Sequence, residues 1–176
     1  MNLTPDLTEK LERTELLLLD VDGVLTDGGI IYDDDGKEIK IFNVRDGLGI
    51  RMAMDAGIGI GIVTGRSSGA LRHRCRNLGI DYIFDGVKHK AAVLEKITDQ
   101  TGVAPGQMAF VGDDLPDLPL MRRVGLSVAV SDAHEMVIGA AHLVTSRGGG
   151  CGAVREICDA LLKARGAWER MLNRFE

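Results

Sequence analysis

The stretch LLLLDVDGVLTDG, residues 16–28, runs four leucines straight into three aspartates, Asp20, Asp22 and Asp27. Four uninterrupted apolar residues are too short for a core helix and fit a strand buried on both faces. Such a strand belongs in the middle of a parallel sheet. The acids that follow it then stand at its carboxyl end, where open α/β sheets place their ligands.

Outward from this strand the signals alternate. GGIIYDDDGKEIKIFNV, residues 28–44, alternates apolar and polar on both sides of Asp35-Gly36, a strong hairpin signal. DGLGIRMAMDAG reads as a helix with Asp46 near its start and Gly57 past its end, its first turn weakened by Gly47 and Gly49. The strand IGIGIVTG follows, then a basic helix over about 67–78, the strand IDYIF and a helix over about 88–101. QMAFVGDD is another strand ending in acid, followed by a short helix, the strand LSVAV, a helix in DAHEMVIGAA and the short strand HLVT. CGAVREICDALLKA closes the series as an amphipathic helix with Val154, Ile157, Cys158, Leu161 and Leu162 on one face. This order predicts an α/β fold: a doubly wound, Rossmann-like parallel sheet flanked by helices, with a small β-hairpin insertion after the first strand. One domain is expected over residues 1–176, with the hairpin at about 29–43 and a loosely docked or disordered tail, including Trp168, over about 165–176.

Composition sets the surroundings. With 176 residues, 45% of them hydrophobic, the chain can bury one substantial core. A net charge of -5 argues against a general affinity for nucleic acid or an anionic membrane, although a local basic pocket can still hold an anion. MNLTPDLTEKLER lacks the basic start and apolar run of a leader, and no apolar stretch approaches the roughly 20 residues of a membrane span. A cytoplasmic protein is expected. Cys75, Cys151 and Cys158 form no CxxC pair, so packing in a reducing compartment is their expected role.

Two strands end in paired acids, DVD at 20–22 and GDD at 112–114. One strand-end aspartate is ordinarily a turn or cap residue. Four carboxylates at one sheet edge need a cation, and oxygen-only ligands favour Mg²⁺ over zinc or copper. VTGR places the Thr64 hydroxyl and the Gly65 amide after another strand, where anions bind. Lys90 can reach the same edge as a point charge for phosphate. NVRDGLGIR brings Arg45, Arg51 and helix-start amides together, an arrangement suited to an anionic sugar acid.

The sequence resembles the haloacid dehalogenase superfamily of phosphohydrolases over about residues 15–160, through LDVDGVLTDG, VTGR, Lys90 and VGDDLPD in that order. FNVRDGLGIR, VGLSVAVSDAH and GAVREICD extend the resemblance to the superfamily's sugar-acid phosphatases with a minimal hairpin cap. The resemblance implies a phosphatase in which Asp20 attacks phosphorus and forms an aspartyl-phosphate. Asp22, two residues on along an extended chain and so on the same side, moves protons. Mg²⁺ would be held by the Asp20 carboxylate, the Asp22 backbone carbonyl and Asp113. Thr64, Gly65 and Lys90 would hold the phosphoryl oxygens. Asn43, Val44, Arg45, Asp46, Gly47, Arg51, Arg66 and Arg74, with Asp22, would line the substrate site.

The implied substrate is an 8-phosphorylated octulosonate used in lipopolysaccharide core synthesis. A sialic acid-type 9-phosphate and a noncatalytic interaction role are the alternatives. The implied assembly is a homotetramer formed through the hairpins. Cys151 stands where enterobacterial members carry arginine, so a tail reaching a neighbour's site would bring one fewer charge unless Arg147 substitutes. Asp27 is open between turn residue and support for the site. Asp114 and Asp117 are open between helix caps and groups that orient Lys90 or a metal-bound water.

Overall fold

The computed structural model describes residues 4–175. The expected parallel sheet is present with six strands: β1 (Leu16–Leu19), β4 (Gly59–Val63), β5 (Tyr82–Phe84), β6 (Met108–Gly112), β7 (Leu126–Ala129) and β8 (Leu143–Val144), in the order β5-β4-β1-β6-β7-β8. The hairpin strands β2 (Ile31–Tyr32) and β3 (Glu38–Ile39) pair antiparallel, apart from the sheet. Helices α1 (Pro5–Glu12), α2 (Val44–Asp55), α3 (Gly69–Leu78), α4 (Leu94–Thr101), α5 (Leu118–Met121), α6 (Glu135–Ala140), α7 (Ala153–Ala164) and α8 (Trp168–Leu172) complete the chain.

The four leucines are fully buried because β1 lies centrally, paired with β4 on one side and β6 on the other. Leu17 and Leu19 face one core layer with Ile50 of α2, Leu71 of α3 and Val154, Ile157 and Leu161 of α7. Leu16 and Leu18 face the other with Ile97, Phe110, Leu120 and Val137. Each such side chain contributes about 1.5–3 kcal/mol by leaving water. The chain leaves β1 for β4 and β5 on one flank and fills the other with β6, β7 and β8. The strand order therefore reverses at the carboxyl end of β1, next to β4 and β6, and a crevice opens there.

Local departures from the sequence reading have physical causes. α2 begins at Val44 in spite of Gly47 and Gly49. Asn43 caps it by accepting from the Arg45 amide at 2.8 Å, and Gly49 lets α7 approach closely, since a Cβ there would stand 3.2 Å from Arg155 Cα. The helix expected over 88–101 splits into a tight 3₁₀ turn, Lys90–Val93, followed by α4. The buried Lys90 side chain at its start is pinned to the sheet edge by two carboxylates.

The stretch read as a loose tail instead forms α8, and its Met171 packs against Met52 of α2 and Leu162 of α7. Cys75 and Cys158 pack in the core as expected, whereas Cys151 is exposed. Among the described residues no helix is long and apolar enough to cross a membrane.

Candidate active site

The loop after β1 is wound tightly. Asp20 continues the sheet by donating its amide to Val111 O at 3.1 Å, and the Val21 carbonyl then accepts from the amides of Val24, Leu25 and Thr26 at 3.2, 2.9 and 3.0 Å. Val21, Val24 and Leu25 are buried beneath it. The backbone carrying Asp20 and Asp22 is thereby fixed by hydrogen bonds and packing.

Asp20 meets three groups from later strands. Lys90 Nζ lies 2.8 Å from Asp20 Oδ1 and 2.5 Å from Asp117 Oδ1, over the Phe110 ring. The other oxygen of Asp117 accepts from the amides of Asp113 and Asp114 at 2.8 and 3.2 Å, fixing the turn after β6. Asp113 reaches back to β1's loop, where Gly23, at φ 90°, leaves room for its carboxylate that a Cβ would fill.

One oxygen each from Asp20, Asp113 and Asp117 lies within 4.8 Å of the others. Burial, opposed by Lys90, pushes Asp20 up to about 6. Burial and the charges of Asp20 and Asp117 push Asp113 up to about 8. Burial alone would lower Lys90, but Asp20 and Asp117 outweigh it and hold the ammonium above the usual lysine range.

This donor set fits a divalent cation. Ionised together, three carboxylates against one ammonium would leave two negative charges unbalanced, every donor is oxygen, and the buried Asp113 Oδ1 has no hydrogen-bond partner. Asp117 is engaged at both oxygens by Lys90, Asp113 and Asp114, so its role is to hold Lys90 and the loop. Asp20 and Asp113 are the side chains free to take the ion.

Thr64 is buried at the end of β4, held by its amide to Phe84 O and by Val87 N to its carbonyl, both at 3.0 Å. Asp22 belongs to a second cluster. Lys40 Nζ contacts Asp22 Oδ1 and Glu38 Oε1, while Arg66 places Nε 3.6 Å from Asp22 Oδ2 and donates to Glu38 Oε2 at 3.4 Å and to Tyr32 Oη at 3.0 Å. The Lys40 side chain is 2% exposed.

The remaining candidates divide. Arg74 donates to Asn43 O at 3.4 Å, lies over Phe42, and shares with Lys40 and Glu38 a groove of about 940 Å³ between the hairpin and α3. Gly47 lies beneath the Arg74 guanidinium. Asn43 donates to Gly150 O at 2.9 Å, tying α2 to the glycine-rich turn before α7. Buried Asp46 accepts from the Arg155 amide at 2.7 Å. Arg51 donates to Asn77 O at 2.5 Å, Val44 is exposed, and Arg45 lines a separate cavity with Arg147 and Arg155. Asp27 is a turn residue, accepting from the Gly29 amide at 2.9 Å, and Asp114 caps the turn before α5 through the Leu115 amide at 2.8 Å.

Glu38 and Lys40 were not among the candidate residues read from the sequence, whereas Asp117, left open between a cap and a group that orients Lys90, does hold Lys90. A signal for the hairpin pair is present in KEIKIF, where period-2 spacing puts residues 38, 40 and 42 on one face.

A sequence model of haloacid dehalogenase-like hydrolases matches residues 82–152. The 3-deoxy-D-manno-octulosonate 8-phosphate phosphatase of Escherichia coli K12 is 48% identical over 164 residues, which cover 93% of this chain and 87% of that one. The chain belongs to the haloacid dehalogenase-like hydrolases. The fold of this hydrolase matches the crystal structure of the Yersinia pestis 3-deoxy-D-manno-octulosonate 8-phosphate phosphatase at a TM-score of 0.93 and 42% identity, covering 95% of this chain and 90% of the other. It also matches the Moraxella catarrhalis phosphatase of the same name, solved with magnesium, phosphate and the octulosonate, at a TM-score of 0.93 and 38% identity, covering 96% and 97% of the two chains.

Proposed function

We propose that this hydrolase is a Mg²⁺-dependent phosphatase that converts 3-deoxy-D-manno-octulosonate 8-phosphate to 3-deoxy-D-manno-octulosonate and phosphate, in the cytoplasmic part of lipopolysaccharide core synthesis. The observation that carries the reading is the strand-end Asp20, held by Lys90 at 2.8 Å beside the unpartnered oxygen of Asp113. The relatives named for this reaction support the choice of substrate.

Asp20 attacks phosphorus, and the bond from phosphorus to the sugar oxygen breaks as an aspartyl-phosphate forms. Asp22 gives its proton to the departing oxygen, then takes one from the water that attacks the acyl phosphate. Phosphate leaves and the Asp20 carboxylate returns. Thr64, the Gly65 amide and Lys90 balance the charge on the phosphoryl oxygens. Asp20, the Asp22 carbonyl and Asp113 would hold Mg²⁺, which when bound would supply positive charge against repulsion between the carboxylate and the phosphate. Arg74, along the groove beside the hairpin, and Arg66, beside Asp22 and Glu38, supply cations for the sugar acid's carboxylate.

The hairpin's other face carries Ile31, Ile39 and Ile41, all exposed. A two-stranded hairpin with such a face is marginal alone, and we assign it to homotetramer assembly. Phosphate release from the octulosonate 8-phosphate, compared with a sialic acid-type 9-phosphate, each with Mg²⁺ and with chelator, tests the reading. Preference for the 9-phosphate would reassign the substrate, and no release from either would leave a noncatalytic role.

A further inference from the structure

Asp20 and Asp22 are held in different ways. Asp20 is fixed by its strand and by a lysine that a buried aspartate anchors in turn. The Asp22 carboxylate receives no backbone amide among the described residues. Its partners are two cations, Lys40 and Arg66, and each of these also binds Glu38.

The four side chains close a ring of alternating charge. Lys40 pairs with Asp22 Oδ1 and with Glu38 Oε1, Arg66 donates to Glu38 Oε2 at 3.4 Å, and Arg66 Nε, 3.6 Å from Asp22 Oδ2, completes the ring as a charge contact without a hydrogen bond. Lys40 keeps Glu38 below the usual carboxylate range. Half of the ring comes from the hairpin. Glu38 and Lys40 are two residues apart on one strand and face inward, and Phe42, next on that face, packs on the core, while Ile39 and Ile41 face outward.

We infer that Lys40, steadied by Glu38, is a positioning residue that aims the Asp22 carboxylate at the leaving oxygen. The inference rests on the proton-transfer role proposed for Asp22. The Lys40 ammonium is occupied by two carboxylates and 2% of its side chain is exposed, whereas Arg66, at 40%, is open enough to turn toward a ligand. When Arg66 engages the substrate, Lys40 remains as the group that holds Asp22. The hairpin is then part of the catalytic apparatus as well as a cover.

Leaving-group dependence tests this. An alkyl phosphate needs a proton on its leaving oxygen, whereas 4-nitrophenyl phosphate does not, and kcat/KM reports the steps up to phosphorylation of Asp20. In Lys40→Met the ratio of kcat/KM for octulosonate 8-phosphate to that for 4-nitrophenyl phosphate should fall on the order of tenfold or more, part of the 10²–10⁴ that acid–base catalysis supplies. Lys40→Arg should recover part of the ratio. A merely structural lysine would lower both values together, and an unchanged ratio overturns the inference.

Asp22→Asn separates the two readings. It should lower the ratio further than Lys40→Met. If it leaves the ratio unchanged, the role of Asp22 fails and the inference falls with it. If it lowers the ratio and Lys40→Met does not, only the inference fails. Should Lys40→Met lose its fold by far-UV circular dichroism, Glu38→Gln carries the test, with a smaller fall in the ratio expected and an unchanged ratio overturning the inference.

Discussion

Lys90 and Asp117 form an ion pair of 2.5 Å in which both side chains are buried, and the pair sets the position of the ammonium 2.8 Å from Asp20. A flexible four-carbon chain reaches a reacting carboxylate reproducibly only if its end is tethered. Asp117 is the tether, itself fixed by the amides of Asp113 and Asp114.

Asp117→Asn keeps the shape and an oxygen for those amides but removes the charge that holds Lys90. The expected outcome is a drop in kcat on the order of tenfold or more, the size of one charge-assisted contact of about 1.5–3 kcal/mol. Steady-state kinetics beside a thermal melt checks it. An unchanged kcat in a folded variant contradicts the tether.

Asp113 predicts a metal dependence of stability. Its unpartnered buried oxygen and the crowding of three carboxylates are costs that a cation removes. Mg²⁺ should therefore raise the melting temperature of the wild type, by an amount equivalent to about 2.7 kcal/mol at a hundredfold excess over Kd. In Asp113→Asn the gain should shrink or vanish, while the metal-free variant melts no lower than metal-free wild type. Differential scanning fluorimetry with and without chelator measures both.

Asp46 predicts a pH dependence away from the reacting groups. Burial raises its pKa above the ordinary 3.8, and Oδ2 has no partner. The native state thus binds this proton more tightly than the unfolded chain does. The stability it contributes is fully present below about 4 and is lost as pH rises through the elevated native value. Asp46→Asn should melt with a shallower decline than the wild type as pH rises above about 4. Parallel declines would contradict the assignment.

The three thiols should separate by reactivity. Burial pushes Cys75 up to about 11 and Cys158 higher still, and both are packed in the core, while Cys151 is exposed. A thiol reagent should modify about one equivalent in native protein, located at Cys151 by peptide mapping, and about three after denaturation. Rapid labelling of Cys75 or Cys158 in the native state contradicts the packing.

The fold was legible where local signals agreed with the global arrangement. The four leucines mark a strand buried on both sides whatever its neighbours are, and the acids after β1 and β6 fall at the strand reversal because both strands are central. The legible residues Asp20, Asp113 and Lys90 do converge. The ring of Asp22, Lys40, Glu38 and Arg66 was less visible, since it exists only after the hairpin folds back over a loop distant in sequence. For Asp117 the sequence leaves open a cap or a group that orients Lys90, and the folded chain shows one oxygen on the amides of Asp113 and Asp114 and the other on Lys90. Trp168–Leu172 carries too short a pattern to announce α8, which owes its place to contacts with α2 and α7.

The central claim is covalent transfer of the phosphoryl group to Asp20. Rapid acid quench during turnover of octulosonate 8-phosphate with Mg²⁺, followed by borohydride reduction and peptide mass spectrometry, tests it directly. The account predicts conversion of Asp20 to homoserine in the peptide carrying LLLLDVDGVLTDG, and no conversion in Asp20→Asn, which keeps its fold and loses turnover. An unreduced Asp20 in turning-over enzyme, or near-wild-type turnover by Asp20→Asn, would contradict it.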